Sequence, residues 1–150
     1  MKTIKYAELS KHVGEEMGVS EWVKVDQDRV NKFADATGDH QWIHVDVERA
    51  NAESPFGGPI AHGYLTLSLG PVLVPQVVRV DGIKMGVNYG CEKVRFPSPV
   101  PVGANLRVGV ELVEVTDIPG GCQVQMRFTF ECEGAAKPSC VSQNLFRYYE

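Results

Sequence analysis

The chain has 150 residues, enough for a single domain, residues 1–150, with one continuous core. Its 15 basic and 19 acidic residues give a formal net charge of −4, and neither sign forms a long run. This balance gives no support for binding to nucleic acid or to a membrane surface, since both favour concentrated basic residues.

Apolar runs, the first residues and the cysteines bear on the cellular compartment of the protein. No apolar run approaches the ~18 residues of a membrane span, and no signal-peptide pattern follows the first methionine. The four cysteines have no C-x-x-C spacing, so we expect reduced thiols rather than disulfides or a metal site. They are Cys91, Cys122, Cys132 and Cys140. We therefore expect a cytoplasmic protein.

The first sixty residues contain one well-bounded helix. A weak helical pattern covers residues 6–18, and residues 21–25 alternate as a short strand would. Asp26 is a candidate N-cap, and Gly38 is a candidate stop for the helix between them. One face of that helix carries Val30, Phe33, Ala34 and Thr37. Residues 39–60 show no periodicity, and we predict an irregular loop there.

From Ala61 to about Pro75 the pattern is helical, with apolar groups on almost every side. Such a helix is expected to be buried, with its two prolines bending or ending it. The second half is β. Ile83–Tyr89 and Cys91–Phe96 predict one long strand with a bulge at Gly90, and three further strands follow. They centre on residues 106–112, 124–130 and 140–149.

One buried helix followed by about four long strands in hairpin-like order predicts an α+β protein. Consecutive strands with short turns pair antiparallel, and an apolar helix needs a sheet wrapped around it. We therefore predict a hot-dog fold, in which a long helix lies in a curled antiparallel sheet.

The candidate chemistry lies directly after the first helix, where Asp39 is followed five residues later by His44. A carboxylate and an imidazole that converge on one water can take and return protons, and the ordinary pKa of histidine suits this at neutral pH. The alternative is structural: Asp39 capping a loop, and His44 bonded to a backbone carbonyl beneath it.

Several motifs carry a resemblance to a known family. Thr37–His44 followed by Ala50, then Pro59–Leu65, and then Asn88–Gly90 with Lys93–Pro97 resemble the MaoC-like dehydratases. These include the (R)-specific enoyl-CoA hydratases, or hydratase 2 enzymes, and the chain is most similar to short single-domain actinobacterial members. Many members have Asn-Pro where this chain has Gln41-Trp42.

The resemblance implies reversible hydration of trans-2-enoyl-CoA to (R)-3-hydroxyacyl-CoA, with Asp39 and His44 activating water. The Gly63 amide would polarise the thioester carbonyl, with His62 as a supporting neighbour in that binding region. Trp42 and Asn88 are candidate substrate contacts. No metal or redox cofactor is implied, because the CoA thioester is the substrate, and the family suggests a homodimer.

Two other functions stay open. The first is another acyl-thioester enzyme on the same fold, either a 3-hydroxyacyl-carrier-protein dehydratase of a fatty-acid cycle or a thioesterase. The second is a non-catalytic subunit that binds acyl groups or completes a heterodimer, although the presence of both Asp39 and His44 favours an enzyme.

Overall fold

The computed structural model describes residues 1–150. The strands are β1 (Lys2–Lys5), β2 (Glu16–Val19), β3 (Val23–Lys24), β4 (Val78–Asp81), β5 (Met85–Arg95), β6 (Asn105–Ile118), β7 (Gly121–Cys132) and β8 (Cys140–Tyr149). The α-helices are α1 (Gln27–Thr37), α2 (Trp42–Val45), α3 (Val47–Glu53), α4 (Gly63–Ser68) and α5 (Gly70–Leu73). Two 3₁₀ segments cover Tyr6–His12 and Val74–Gln76. None of the helices is both long and apolar enough to span a membrane.

The main sheet has six antiparallel strands. Five follow one another in space as β2-β6-β7-β8-β5, and the short β3 also pairs with β6. Strands β6, β7 and β8 form consecutive hairpins, as predicted. The predicted hairpin order is wrong for β5, which pairs with β8 at the far edge rather than with β6. The connection over residues 96–104 contains three prolines and is too long for a hairpin turn.

The inner face of the sheet is buried by simple alternation. In β6 the side chains of Leu106, Val108, Val110 and Leu112 are buried while their neighbours are half-buried. Leu65 from α4, Leu73 from α5 and Leu69 between the two helices join them in one hydrophobic cluster of 23 buried residues. The prediction of an α+β hot-dog fold is confirmed, with helix packed against an antiparallel sheet.

The helical segment over residues 63–76 differs from the prediction in two ways. It divides into α4, α5 and a 3₁₀ turn, and Pro71 and Pro75 each lie in the first turn of a new segment. It is also not buried on all sides, because Tyr64 is 72% exposed and Val72 is 62% exposed. An apolar residue does not by itself show that its face is covered within one chain.

The predicted helix over residues 6–18 is wrong beyond His12. Gly14 has a φ of 87°, which turns the chain into β2, and β2 then pairs with β6. Leu9 and Met17 are both buried, so the apolar spacing is satisfied by a 3₁₀ segment and a strand. The strand predicted over residues 21–25 shortens to Val23–Lys24.

The irregular loop predicted for residues 39–60 is also wrong in part, because it contains α2 and α3. The Asp46 side chain caps α3 by accepting a hydrogen bond from the Arg49 N–H at 3.1 Å. These helices have four and seven residues, which is too short to show a 3.6-residue period. The one local signal in the sequence is therefore the Asp46 cap of α3.

Strand β5 is one long strand with a register irregularity between Asn88 and Gly90, as predicted. It pairs only with β8, which leaves its outer edge open. Nearly all of its residues are exposed, including Val87 at 39% and Tyr89 at 54%. This edge is therefore an unpaired and partly apolar surface.

Candidate active site

The loop that carries Asp39 begins where α1 ends. Asp26 caps the start of α1 by accepting from the Arg29 N–H at 2.9 Å, as predicted. Gly38 closes the helix with a φ of 83°, in the left-handed conformation that glycine favours. Asp39 follows as an exposed residue, and its carboxylate accepts a hydrogen bond from the Gln41 N–H at 3.2 Å.

His44 lies on α2 and is only 6% exposed. Its Nδ1 lies 2.6 Å from the carbonyl oxygen of Ile60. A carbonyl can only accept, so Nδ1 carries the hydrogen and Nε2 keeps its lone pair. Burial lowers the pKa of His44 below its ordinary value, against the opposing effects of the Ile60 hydrogen bond and the Asp39 charge. The imidazole is therefore neutral at neutral pH, with Nε2 available as a base.

Asp39, His44 and His62 come together although 23 residues separate the first from the last. One polar atom from each lies within 4.8 Å of the other two, and the two imidazole rings stack with centroids 3.9 Å apart. Nδ1 of His44 and Nε2 of His62 face backbone carbonyls, so one nitrogen of each ring stays free of them. The cluster brings a carboxylate close to two imidazoles, a combination that can transfer protons.

Gly63, the residue after His62, is the first residue of α4, so its N–H has no acceptor within the helix. No other group in the chain accepts a hydrogen bond from it. The ring of Phe96 packs against it, and a methyl group at position 63 would lie 3.0–3.1 Å from three ring atoms. Gly63 also lines a cavity of about 320 Å³. A free amide in this position can hold a carbonyl oxygen as negative charge develops on it.

The other two predicted substrate contacts, Trp42 and Asn88, have other neighbours. Trp42 begins α2, and its ring packs beneath the guanidinium of Arg49 at 4.2 Å. Asn88 is exposed on β5 and borders a largely apolar cavity of about 310 Å³ that Pro71 and Phe146 also line. Neither side chain is hydrogen-bonded to the Asp39, His44 and His62 cluster. Their assignment as substrate contacts stays a prediction.

Two residues that hold His44 were missed from the sequence. Ile60 acts through its backbone carbonyl, so its side chain carries no signal, although it directly precedes Ala61-His62-Gly63. Gln27 donates from Nε2 to the carbonyl oxygen of His44 at 2.8 Å. As the residue after the Asp26 cap, Gln27 resembles any polar residue in a first helical turn.

The chain is similar in sequence to two known proteins. The chain is 53% identical over 143 residues to the 3-hydroxyacyl-thioester dehydratase Z of Mycobacterium tuberculosis, covering 95% of this chain and 94% of that protein. It is 50% identical over 107 residues to the Nodulation protein N of Rhizobium meliloti, covering 71% and 66%.

Solved structures show the same fold. The R-hydratase PhaJ1 from Pseudomonas aeruginosa superposes with a TM-score of 0.76 at 26% identity, covering 97% of this chain and 85% of that one. A monoamine oxidase regulatory protein from Archaeoglobus superposes with a TM-score of 0.82 at 23% identity, covering 99% and 97%. The sequence model of the family described as the MaoC like domain matches residues 8–130. The chain therefore belongs to the MaoC-like domain family.

Proposed function

We propose that the protein is a hydro-lyase that reversibly hydrates trans-2-enoyl-CoA to (R)-3-hydroxyacyl-CoA. The observation that carries the proposal is the close approach of Asp39 to the neutral His44. His62 lies in the same cluster, and the next residue, Gly63, has a backbone N–H with no acceptor. The 53% identical relative is named as a 3-hydroxyacyl-thioester dehydratase, which is this reaction in the reverse direction. A structural relative with 26% identity is named as an R-hydratase.

The proposed chemistry needs a proton to move from water to carbon. Asp39 and His44 hold one water between them, and the pair removes a proton as the oxygen adds to C3 of the enoyl group. Negative charge moves to the thioester oxygen, which accepts a hydrogen bond from the Gly63 N–H. The pair then delivers a proton to C2, which completes the addition of water.

The proposed reaction requires no metal or redox cofactor, because it transfers only protons and water. The coenzyme A moiety is part of the substrate. The name of the 53% identical relative fits thioesters of CoA and of an acyl carrier protein alike. Dehydration of a 3-hydroxyacyl carrier protein is therefore the second candidate, and rates with the two carriers distinguish them.

We also propose that the active form is a homodimer joined through β5. The open edge of β5 presents unpaired backbone N–H and C=O groups, and such edges are normally covered. Val87 and Tyr89 are exposed on β5, and the exposed ring of Tyr64 lies 6.2 Å from that of Phe96, the residue after β5. A two-fold axis would pair β5 with β5 of a second copy and continue the sheet.

The test follows the loss of conjugated enoyl absorbance with crotonyl-CoA and with a longer enoyl-CoA. We expect turnover by the wild-type protein and a product of R configuration on a chiral column. His44→Gln is expected to lose most of this activity. His12→Gln, which alters a histidine far along the chain from the cluster, is the matched control and should match the wild type.

Turnover within a few per cent of the blank on both chain lengths would contradict the hydratase proposal. Turnover restricted to a carrier-protein thioester would favour the second candidate. Equal activity in His44→Gln and the wild type would place the chemistry elsewhere.

A further inference from the structure

His62 is held more closely than a packing residue requires. It is 3% exposed, and its Nε2 lies 3.0 Å from the backbone carbonyl oxygen of Asp39. One side of its ring stacks on His44 at 3.9 Å with an interplanar angle of 26°, and the Phe33 ring lies 4.9 Å away. Its neighbours thus include both members of the proposed catalytic pair.

The hydrogen bond to Asp39 fixes the tautomer of His62. A backbone carbonyl only accepts, so Nε2 carries the hydrogen and Nδ1 keeps a lone pair. That Nδ1 is buried and has no hydrogen-bond partner, which is unfavourable. A phenylalanine would stack on His44 without leaving an unpaired nitrogen. The Nε2–H contact with Asp39 is therefore what a histidine contributes at this position.

Asp39 makes few other hydrogen bonds within the chain. Its N–H donates to the Thr37 hydroxyl at 3.3 Å, and its carboxylate accepts from the Gln41 N–H at 3.2 Å. Both partners belong to the same short stretch of chain as Asp39. His62 is the group outside that stretch that hydrogen-bonds to Asp39, and it immediately precedes Gly63. One side chain thereby links the acid, the base and the start of α4.

We propose that His62 is a positioning residue, which acts through Asp39 and His44 rather than by touching the substrate. This inference rests on the proposed hydration and adds a role for a third residue. By tying the Asp39 backbone to the start of α4, His62 sets the separation between the carboxylate, the His44 ring and the Gly63 amide. Small errors in such separations are costly, since misplacement by about 1 Å can lower a rate about 100-fold.

Two substitutions of His62 distinguish the contribution of its hydrogen bond to Asp39 from that of its stacking on His44. His62→Phe keeps a ring against His44 and removes the donor. His62→Gln removes the ring but keeps an N–H donor the same number of bonds from Cα. We expect His62→Phe to lower kcat about 10- to 100-fold with KM within about threefold of wild type. His62→Gln should retain kcat within about fivefold, because the donor is restored.

A second measurement does not depend on activity. Hydrogen exchange of the Gln41 amide, which donates to the Asp39 carboxylate, reports how firmly that carboxylate is held. We expect faster exchange in His62→Phe and near wild-type exchange in His62→Gln. Thermal unfolding of both variants establishes that they are folded.

The outcomes are distinct. Wild-type kcat and wild-type Gln41 exchange in His62→Phe would overturn the positioning role, as would an equal loss of kcat in both variants with unchanged exchange. If the wild-type protein hydrates no thioester, the proposed function fails. The Gln41 exchange of the two variants then decides the positioning role by itself.

Discussion

Replacing Asp39 by Asn is expected to remove most of the proposed activity while leaving the fold nearly unchanged. The carboxylate is exposed, and its hydrogen bond within the chain is the one accepted from the Gln41 N–H. The Asn carbonyl oxygen can accept the same bond, so the free energy of unfolding should change by no more than about 0.5 kcal/mol. Loss of a positioned acid–base group lowers a rate about 10²–10⁴-fold. At 1.36 kcal/mol per tenfold change, this is about 2.7–5.4 kcal/mol in activation free energy.

Asp46→Asn is the matched control for this experiment. Asp46 is also an exposed aspartate, and its side chain likewise accepts from a backbone N–H, that of Arg49. Asn is as good a cap as Asp, so both variants should match the wild type in urea unfolding. Only Asp39→Asn should lose turnover of enoyl-CoA. If Asp39→Asn keeps more than a tenth of the wild-type kcat, or if Asp46→Asn falls equally far, the assignment of Asp39 is refuted.

Three further predictions concern pH, assembly and the loop. The pKa of His44 is lowered in the folded protein, so the unfolded state binds more protons at acid pH. The free energy of unfolding should therefore fall as the pH drops below about 6.5. In urea unfolding, this free energy should fall less steeply with pH for His44→Gln than for the wild type. Val87→Asp should convert the dimer to a monomer in light scattering, whereas Val19→Asp on the opposite edge strand should not. Trp42→Pro should fold with a loss of only about 0.5–1 kcal/mol from the Arg49 contact, which chemical unfolding measures.

The parts of the fold that the sequence predicts are those decided by local interactions. A capping Asp26 and a left-handed Gly38 bound α1 because each satisfies its own end of the helix. The alternating strands β6, β7 and β8 are predicted because burial on one face of a sheet imposes a period of two. In both cases the deciding contacts lie within a few residues or along one strand.

The position of β5 and the exposed face of α4 depend on distant parts of the chain. The apolar residues of β5 are compatible with any place in the sheet, and pairing with β8 is a choice among edges. Tyr64 looks like a buried helix residue, yet within one chain it is 72% exposed. Sequence hydrophobicity alone does not record whether a particular group is covered by the rest of the chain.

The sequence indicates the candidate reactive groups of the site, but not the contacts that hold them in place. The spacing of Asp39 and His44 is visible in the sequence, and both types of side chain have an obvious chemistry. The supports act through the backbone carbonyls of Ile60 and Asp39, which every residue possesses. The stacking of His62 on His44 likewise depends on how α4 approaches α2, which is a property of the folded chain.

The backbone also accounts for the departure at Gln41-Trp42 from the commoner Asn-Pro. Gln41 has φ −56° and ψ 136°, close to the polyproline II conformation that is permitted before proline. Trp42 is the first residue of α2, where proline is favoured because the N–H has no helical acceptor. The contacts that set the turn are the Gln41 N–H to Asp39 and the His44 N–H to the Gln41 carbonyl, and neither uses the side chain of Gln41 or Trp42. Both dipeptides can therefore form the same turn, and the separation of Asp39 from His44 does not depend on which one the chain carries.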